Sequence, residues 1–280
     1  MPHTASFSFR AAYGAVLERW PGPVTGAALP TPYGTTWVNS AGPADAPPLV
    51  LLPGGGATST VWGAALAAGL ARTHRVHAPD LLGDPGLSVP DPARPLRTVA
   101  GLHAWLDAVL DGLGHQRVHL AGHSYGAWIA AHYAVRSPHR IDRLALLDPT
   151  QVFTGFRPGY LLRALPMLAR PTPARIRRFL DWESGGTPLD PHWLRLQEET
   201  AGFRSARPVT GPRPRLEVLR ESGAPPVLAL FAGRSRCHDA TRAARAAAAV
   251  LPAGAEIGVL PDTGHHGLPL TAAPELARRL

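Results

Sequence analysis

Lysine is absent from this chain of 280 residues, and cysteine occurs once, as Cys237. A single cysteine excludes an internal disulfide and fits a reducing compartment. The sequence also lacks a cysteine pair and a His-x-x-x-His helix, so its spacings predict no metal centre, and Cys237 reads as a bystander. No apolar run is long enough to span a bilayer. Met1 to Trp20 shows no basic start, continuous apolar stretch and small-residue cleavage site, so no signal peptide is expected. The resulting expectation is a soluble, cytoplasmic protein without a membrane partner.

With lysine missing, all 28 basic residues are arginine; against 20 acidic residues they give a net charge of +8 and a pI near 10.8. Such a balance ordinarily raises nucleic acid as a partner. Here the arginines are scattered over the whole chain among abundant alanine, glycine and proline. That composition follows from GC-rich codon usage, so no nucleic-acid partner is expected. What the chain does have is apolar content, at 45 %, with only 17 % charged residues. That is enough for one large α/β domain with a sizeable core and room for an insertion.

Strand and helix signals alternate. Gly34–Asn39, Leu49–Leu52, Arg75–Ala78, Arg117–Ala121, Leu144–Leu147, Val227–Phe231 and Glu256–Leu260 read as strands. Ser8–Trp20, Thr98–Leu113, Ala127–Ala134 and Ala240–Val250 read as helices from their apolar spacing or small-residue content. Alternation of this kind predicts a mostly parallel sheet covered by helices. It breaks between Pro149 and Pro225, where only helical patterns occur (Tyr160–Ala169, Pro173–Trp182, Pro191–Thr200). The domain reading is therefore a core of 1–148 and 226–280 with a helical cap of 149–225 inserted in it.

The densest chemical signal is Gly122-His123-Ser124-Tyr125-Gly126, which fits G-x-S-x-G and lies between a buried strand and a helix. In that context the serine is a candidate nucleophile on a strained turn, and the flanking glycines permit the close approach that the turn demands. Leu51-Leu52-Pro53-Gly54-Gly55-Gly56 follows an early strand and can aim a backbone N–H at an oxyanion. The candidate donors are the amides of Gly55 and Tyr125. Near the C-terminus, Gly264-His265-His266-Gly267 offers an imidazole able to take and return a proton near neutral pH. His265 is taken first because it follows the glycine directly, with His266 as the alternative. His123 reads as a neighbour or a solvent-facing residue.

These segments, with Asp80-Leu-Leu-Gly-Asp-Pro-Gly-Leu-Ser88 and Leu-Leu-Asp148-Pro149, resemble the α/β-hydrolase superfamily, in particular bacterial esterase-like serine hydrolases with a helical cap. The resemblance implies the α/β-hydrolase fold and a cofactor-independent reaction on a small ester, lactone or related acyl compound. It also implies an acid partner for His265, at one of two positions. Most of the superfamily carries it after the strand equivalent to Val227–Phe231, where the first carboxylate here is Asp239. Other lineages carry it at the end of the strand before the cap, where Asp148 stands. Each has a plain alternative use, Asp239 as a helix N-cap and Asp148 as a turn residue. Both remain open, Asp148 taken first.

Trp62 and Trp182 are candidate walls of the substrate pocket, with Phe156, Met167, Phe179 and Trp193 also in reach of it. Aminopeptidase, carbon–carbon bond hydrolase and haloperoxidase activities use a similar serine site and stay as alternatives, as does a slow-turnover small-molecule receptor built on the same fold. Dehalogenase and epoxide hydrolase chemistry does not fit, because those relatives carry an aspartate where this chain has Ser124. The expected partner is a small molecule, and the expected assembly a monomer or homodimer.

Overall fold

Leu49, Val50, Leu51 and Leu52 are each no more than 1 % exposed, and they alternate between two cores: Val50 and Leu52 join one, Leu49 and Leu51 the other. A strand apolar on both faces must be covered on both, which places it centrally in a parallel sheet. The computed structural model, which describes residues 5–203, 205–221 and 223–280, has this arrangement. Residues 1–4, at the start of the N-terminal stretch read above, and positions 204 and 222 of the inserted stretch lie outside the described residues.

The strands are β1 (Thr25–Thr31), β2 (Gly34–Ala41), β3 (Pro48–Leu52), β4 (Arg75–Pro79), β5 (Val89–Pro90), β6 (Val118–His123), β7 (Ile141–Leu147), β8 (Val227–Ala232) and β9 (Glu256–Leu260). They lie in the order β1-β2-β4-β3-β6-β7-β8-β9, with β5 on β2. The β1–β2, β2–β4 and β2–β5 pairs are antiparallel and the remaining pairs parallel. The chain thus has the α/β-hydrolase fold. Two strands carry no sequence signal: β5 is two residues long, and β1 is a largely exposed edge containing Gly26 and Pro30. An edge strand with one solvated face needs no apolar run, and proline is tolerated there.

One face is covered by helices Val99–Gly112, Tyr125–Arg136 and Ala240–Val250, whose apolar residues form a single core with alternate strand residues. On the other face the second core takes in Trp20, Trp62, Leu66, Leu70, the C-terminal helix Ala273–Arg279 and the helices between β7 and β8. Those inserted helices are Pro158–Ala169, Pro173–Glu183 and Pro191–Glu199. Each starts with proline, whose missing N–H has no partner to lose in a first turn. Thr172 and Asp190 cap the second and third. Phe179 and Trp193 are buried, whereas Leu161, Leu162, Leu165 and Leu168 are 48–71 % exposed on the first helix.

Parallel strands deliver their C-terminal ends to one rim. The loops after β3, β6, β7 and β8 therefore meet there, and they carry Gly55, Ser124, Asp148 and Cys237–Asp239 respectively.

Candidate active site

Ser124 connects β6 to the helix Tyr125–Arg136 and has φ 53°, ψ −114°. A non-glycine residue there is strained by about 1–3 kcal/mol, which the surroundings must hold. They do so by contact too close for any side chain. A Cβ on Gly122 would lie 2.3 Å from the Gly126 carbonyl oxygen, and one on Gly126 2.4 Å from the carbonyl oxygens of Leu52 and Pro53. The Ser124 amide donates to Leu147 O at 2.9 Å, tying the turn to the end of β7. The turn therefore presents Oγ at the rim, at the N-terminal end of a 12-residue helix, where the helix dipole favours negative charge.

Ser124 Oγ lies 2.9 Å from His265 Nε2, and His265 Nδ1 lies 2.5 Å from Asp148 Oδ2. A carboxylate only accepts, so Nδ1–H donates to Asp148, and Nε2 is left to accept the Ser124 hydroxyl. Asp148 is fully buried at φ 40°, just past β7. Its Oδ1 accepts two further hydrogen bonds, from the Ala232 amide at 3.0 Å and from His238 Nε2–H at 2.9 Å. Burial alone raises a carboxyl group, but the hydrogen bonds from His238 and His265 outweigh it and hold Asp148 well below the usual carboxylate range. Burial likewise acts to lower His265, yet the neighbouring Cys237 and Asp148 hold it well above its ordinary value. Burial pushes the Cys237 thiol itself up.

Asp239 does not join this chain of contacts. It is the N-cap of Ala240–Val250, accepting from the Arg242 amide at 2.9 Å, and its exposed carboxylate pairs with Arg157 at 3.3 Å. The loop after β8 nevertheless reaches the site through His238, one residue earlier, which the sequence reading left without a role.

The glycine bend packs against the elbow. A Cβ on Gly54 would stand 3.3 Å from Ser124 Cβ, and one on Gly55 3.6 Å from Tyr125 Cβ. Asp84 accepts from the Gly56 amide at 3.1 Å, and Asp80, buried beneath, accepts from the amides of Ser59 and Leu87 and from Tyr13 Oη. Asp80 and Asp84 thus tie the bend to the loop after β4.

His123 is buried rather than solvent-facing. Its ring centroid lies 4.5 Å from that of His265, and its Nε2–H donates to the His265 carbonyl at 3.0 Å. Burial holds His123 far below its ordinary pKa, so this contact joins a neutral ring to the histidine loop. His266 points elsewhere, to Glu183 at 3.6 Å and to the Trp193 ring. The expectation that Trp62 walls an open pocket is not met: it is fully buried in the second core, and a side chain without exposed surface borders no open cavity. Trp182 is half-buried among Tyr160 and Phe179, with the Arg236 guanidinium 4.8 Å from its ring centre.

A family model described as the alpha/beta hydrolase family matches residues 49–279. The chain is 30 % identical over 266 residues to carboxylesterase YbfK of Bacillus subtilis, covering 92 % of this chain and 87 % of that protein. The crystal structure of that carboxylesterase matches with a TM-score of 0.87 at 27 % identity, over 96 % of this chain and 95 % of the other. That of naproxen esterase from Bacillus subtilis matches with a TM-score of 0.86 at 27 % identity, over 98 % of both chains. Among the described residues, no helix is long and apolar enough to cross a membrane.

Proposed function

Because the chain belongs to the α/β-hydrolase family, we propose that it is a carboxylic ester hydrolase working through an acyl-enzyme on Ser124. What supports this reading above all is the unbroken hydrogen-bonded series from Ser124 Oγ through His265 to Asp148.

In the proposed reaction His265 Nε2 takes the Ser124 proton as Oγ attacks the ester carbonyl. The imidazolium that forms is stabilised by Asp148, which also holds the tautomer that leaves Nε2 free. The amides of Gly55 and Tyr125 stabilise the oxyanion, and the helix N-terminus beneath adds favourable potential. His265 returns the proton to the departing alcohol. It then activates a water that releases the acid and regenerates Ser124. The stretch 149–225 acts as a cap that shapes the substrate pocket, with Trp182 on its inner side, and the substrate is a small ester or lactone.

The test is turnover of a panel of activated esters graded in acyl and alcohol size. Ser124→Ala should abolish hydrolysis, and a serine-directed phosphonate should label the protein at Ser124. Failure of every ester, together with absence of labelling, overturns the reading.

A further inference from the structure

Glu183 presents a problem that ester hydrolysis does not resolve. It ends the helix Pro173–Glu183, is 1 % exposed, and neither of its carboxylate oxygens has a hydrogen-bond partner. The His266 ring nitrogen at 3.6 Å is too distant for a hydrogen bond. A buried carboxylate left without donors is costly, and native structures rarely keep one without a reason. Two other electron-pair donors lie beside it. Cys237, fully buried and free, and His265, 2 % exposed, place one ligand atom each within 4.8 Å of a Glu183 oxygen and of one another.

Thiolate, imidazole and carboxylate together are the donor set of a borderline-soft divalent cation, with Zn²⁺ the commonest, and three protein ligands leave a fourth position open. Calcium and magnesium prefer all-oxygen sets and do not fit. We infer that Glu183, Cys237 and His265 form an inhibitory site for Zn²⁺ or a similar thiophilic divalent cation, sealed beneath the inserted helices. The cation binds the thiolate, the Cys237 proton leaves to solvent, and the orphan carboxylate gains its counter-charge. Both imidazole nitrogens of His265 are already engaged, by Ser124 and by Asp148. Coordination through either one breaks a contact that the proposed reaction uses, so the metal-loaded protein is switched off.

Metal binding stands independently of the proposed function, whereas the inhibition rests on it, so the test has two arms. In the first, protein freed of metal with a chelator is titrated with Co²⁺, a spectroscopic substitute for Zn²⁺. A thiolate-to-cobalt charge-transfer band should grow and saturate at about one equivalent, in wild type and in Ser124→Ala alike. It should vanish in Cys237→Ala, and Glu183→Gln should weaken binding by more than about 100-fold, beyond the loss typical of an outer-shell partner. In the second arm, Zn²⁺ should suppress ester hydrolysis in wild type and a chelator should restore it. Cys237→Ala, with native circular dichroism, should keep its turnover in the same Zn²⁺.

Absence of the cobalt band in wild type overturns the site, even if no ester is ever found. Persistence of that band in folded Cys237→Ala overturns it as well. A band without Zn²⁺ inhibition, on an enzyme that does turn over esters, overturns the inhibitory role. If Glu183→Gln fails to fold, Cys237→Ala carries the decision alone.

Discussion

The loops that leave β7 and β8 lie side by side at the rim of the sheet, and each carries an aspartate that the sequence offers as the partner of His265. They meet opposite fates. Asp148 turns inward at a positive φ, loses all contact with solvent, and accepts from an amide and two imidazoles. Asp239 stays at the surface, where it caps a helix and pairs with an arginine. The difference lies in the supply of donors. Burying a carboxylate as an anion is costly unless N–H groups converge on it, and the loop after β8 spends its own donor, His238, on the neighbouring loop's acid. The two loops therefore share one carboxylate.

The sharpest way to break this comparison is to remove what it serves. Ser124→Ala should lower kcat by about 10⁶-fold in steady-state assays, because a nucleophile cannot be partly replaced. Asp148→Asn should follow with a loss of about 10⁴-fold, since an amide stabilises neither the tautomer nor the imidazolium. The same pair can be read by pH. His265 must be neutral to act as base, and its pKa is held above its ordinary value. Activity should therefore be present at alkaline pH and fall away as pH drops through that raised pKa. Asp148→Asn should move the midpoint of the residual activity to lower pH. A midpoint that stays in place would mean that Asp148 does not carry the charge felt by His265.

His238 sharpens the comparison. It bonds to Asp148, so in the proposed reaction it acts through that carboxylate as a positioning residue. Losing one hydrogen bond to a charged group costs about 1.5–3 kcal/mol, so His238→Leu should lower kcat about 10- to 100-fold with KM nearly unchanged. It should also move the acid midpoint of the pH profile, which a purely structural role would leave alone; His238→Gln, with a side-chain donor, should recover part of the loss. The smallest effect belongs to Asp239. Asp239→Ala should cost about 1 kcal/mol in denaturant unfolding as a lost N-cap, and Asp239→Asn less, with ester turnover unchanged in both. A large loss of turnover in Asp239→Asn would reverse the assignment of the two loops.

Most of the frame was legible in the residues because it depends on local order. The strand-turn-helix around Ser124 follows from Gly122 and Gly126, whose missing side chains are required within a few residues of the serine. Strands β3, β7 and β8 announce themselves because burial on both faces demands unbroken apolar runs. Edge strand β1 did not, since a largely solvated strand makes no such demand. Trp62, next to the glycine bend in the chain, reads as a pocket wall and turns out to be core, because proximity in sequence does not say which way a side chain points.

Composition and spacing by themselves thus determined the fold class and marked out the segments that carry Ser124, the glycine bend and His265. Only the tertiary structure brought Asp148 rather than Asp239 against His265, joined His238 to Asp148, and set Glu183 and Cys237 beside His265. The physical reason is common to all three. A buried carboxylate, thiol or imidazole takes its character from the donors and charges around it, and here those arrive from β7, β8, the inserted helices and the C-terminal loop. No spacing within a single segment records that convergence.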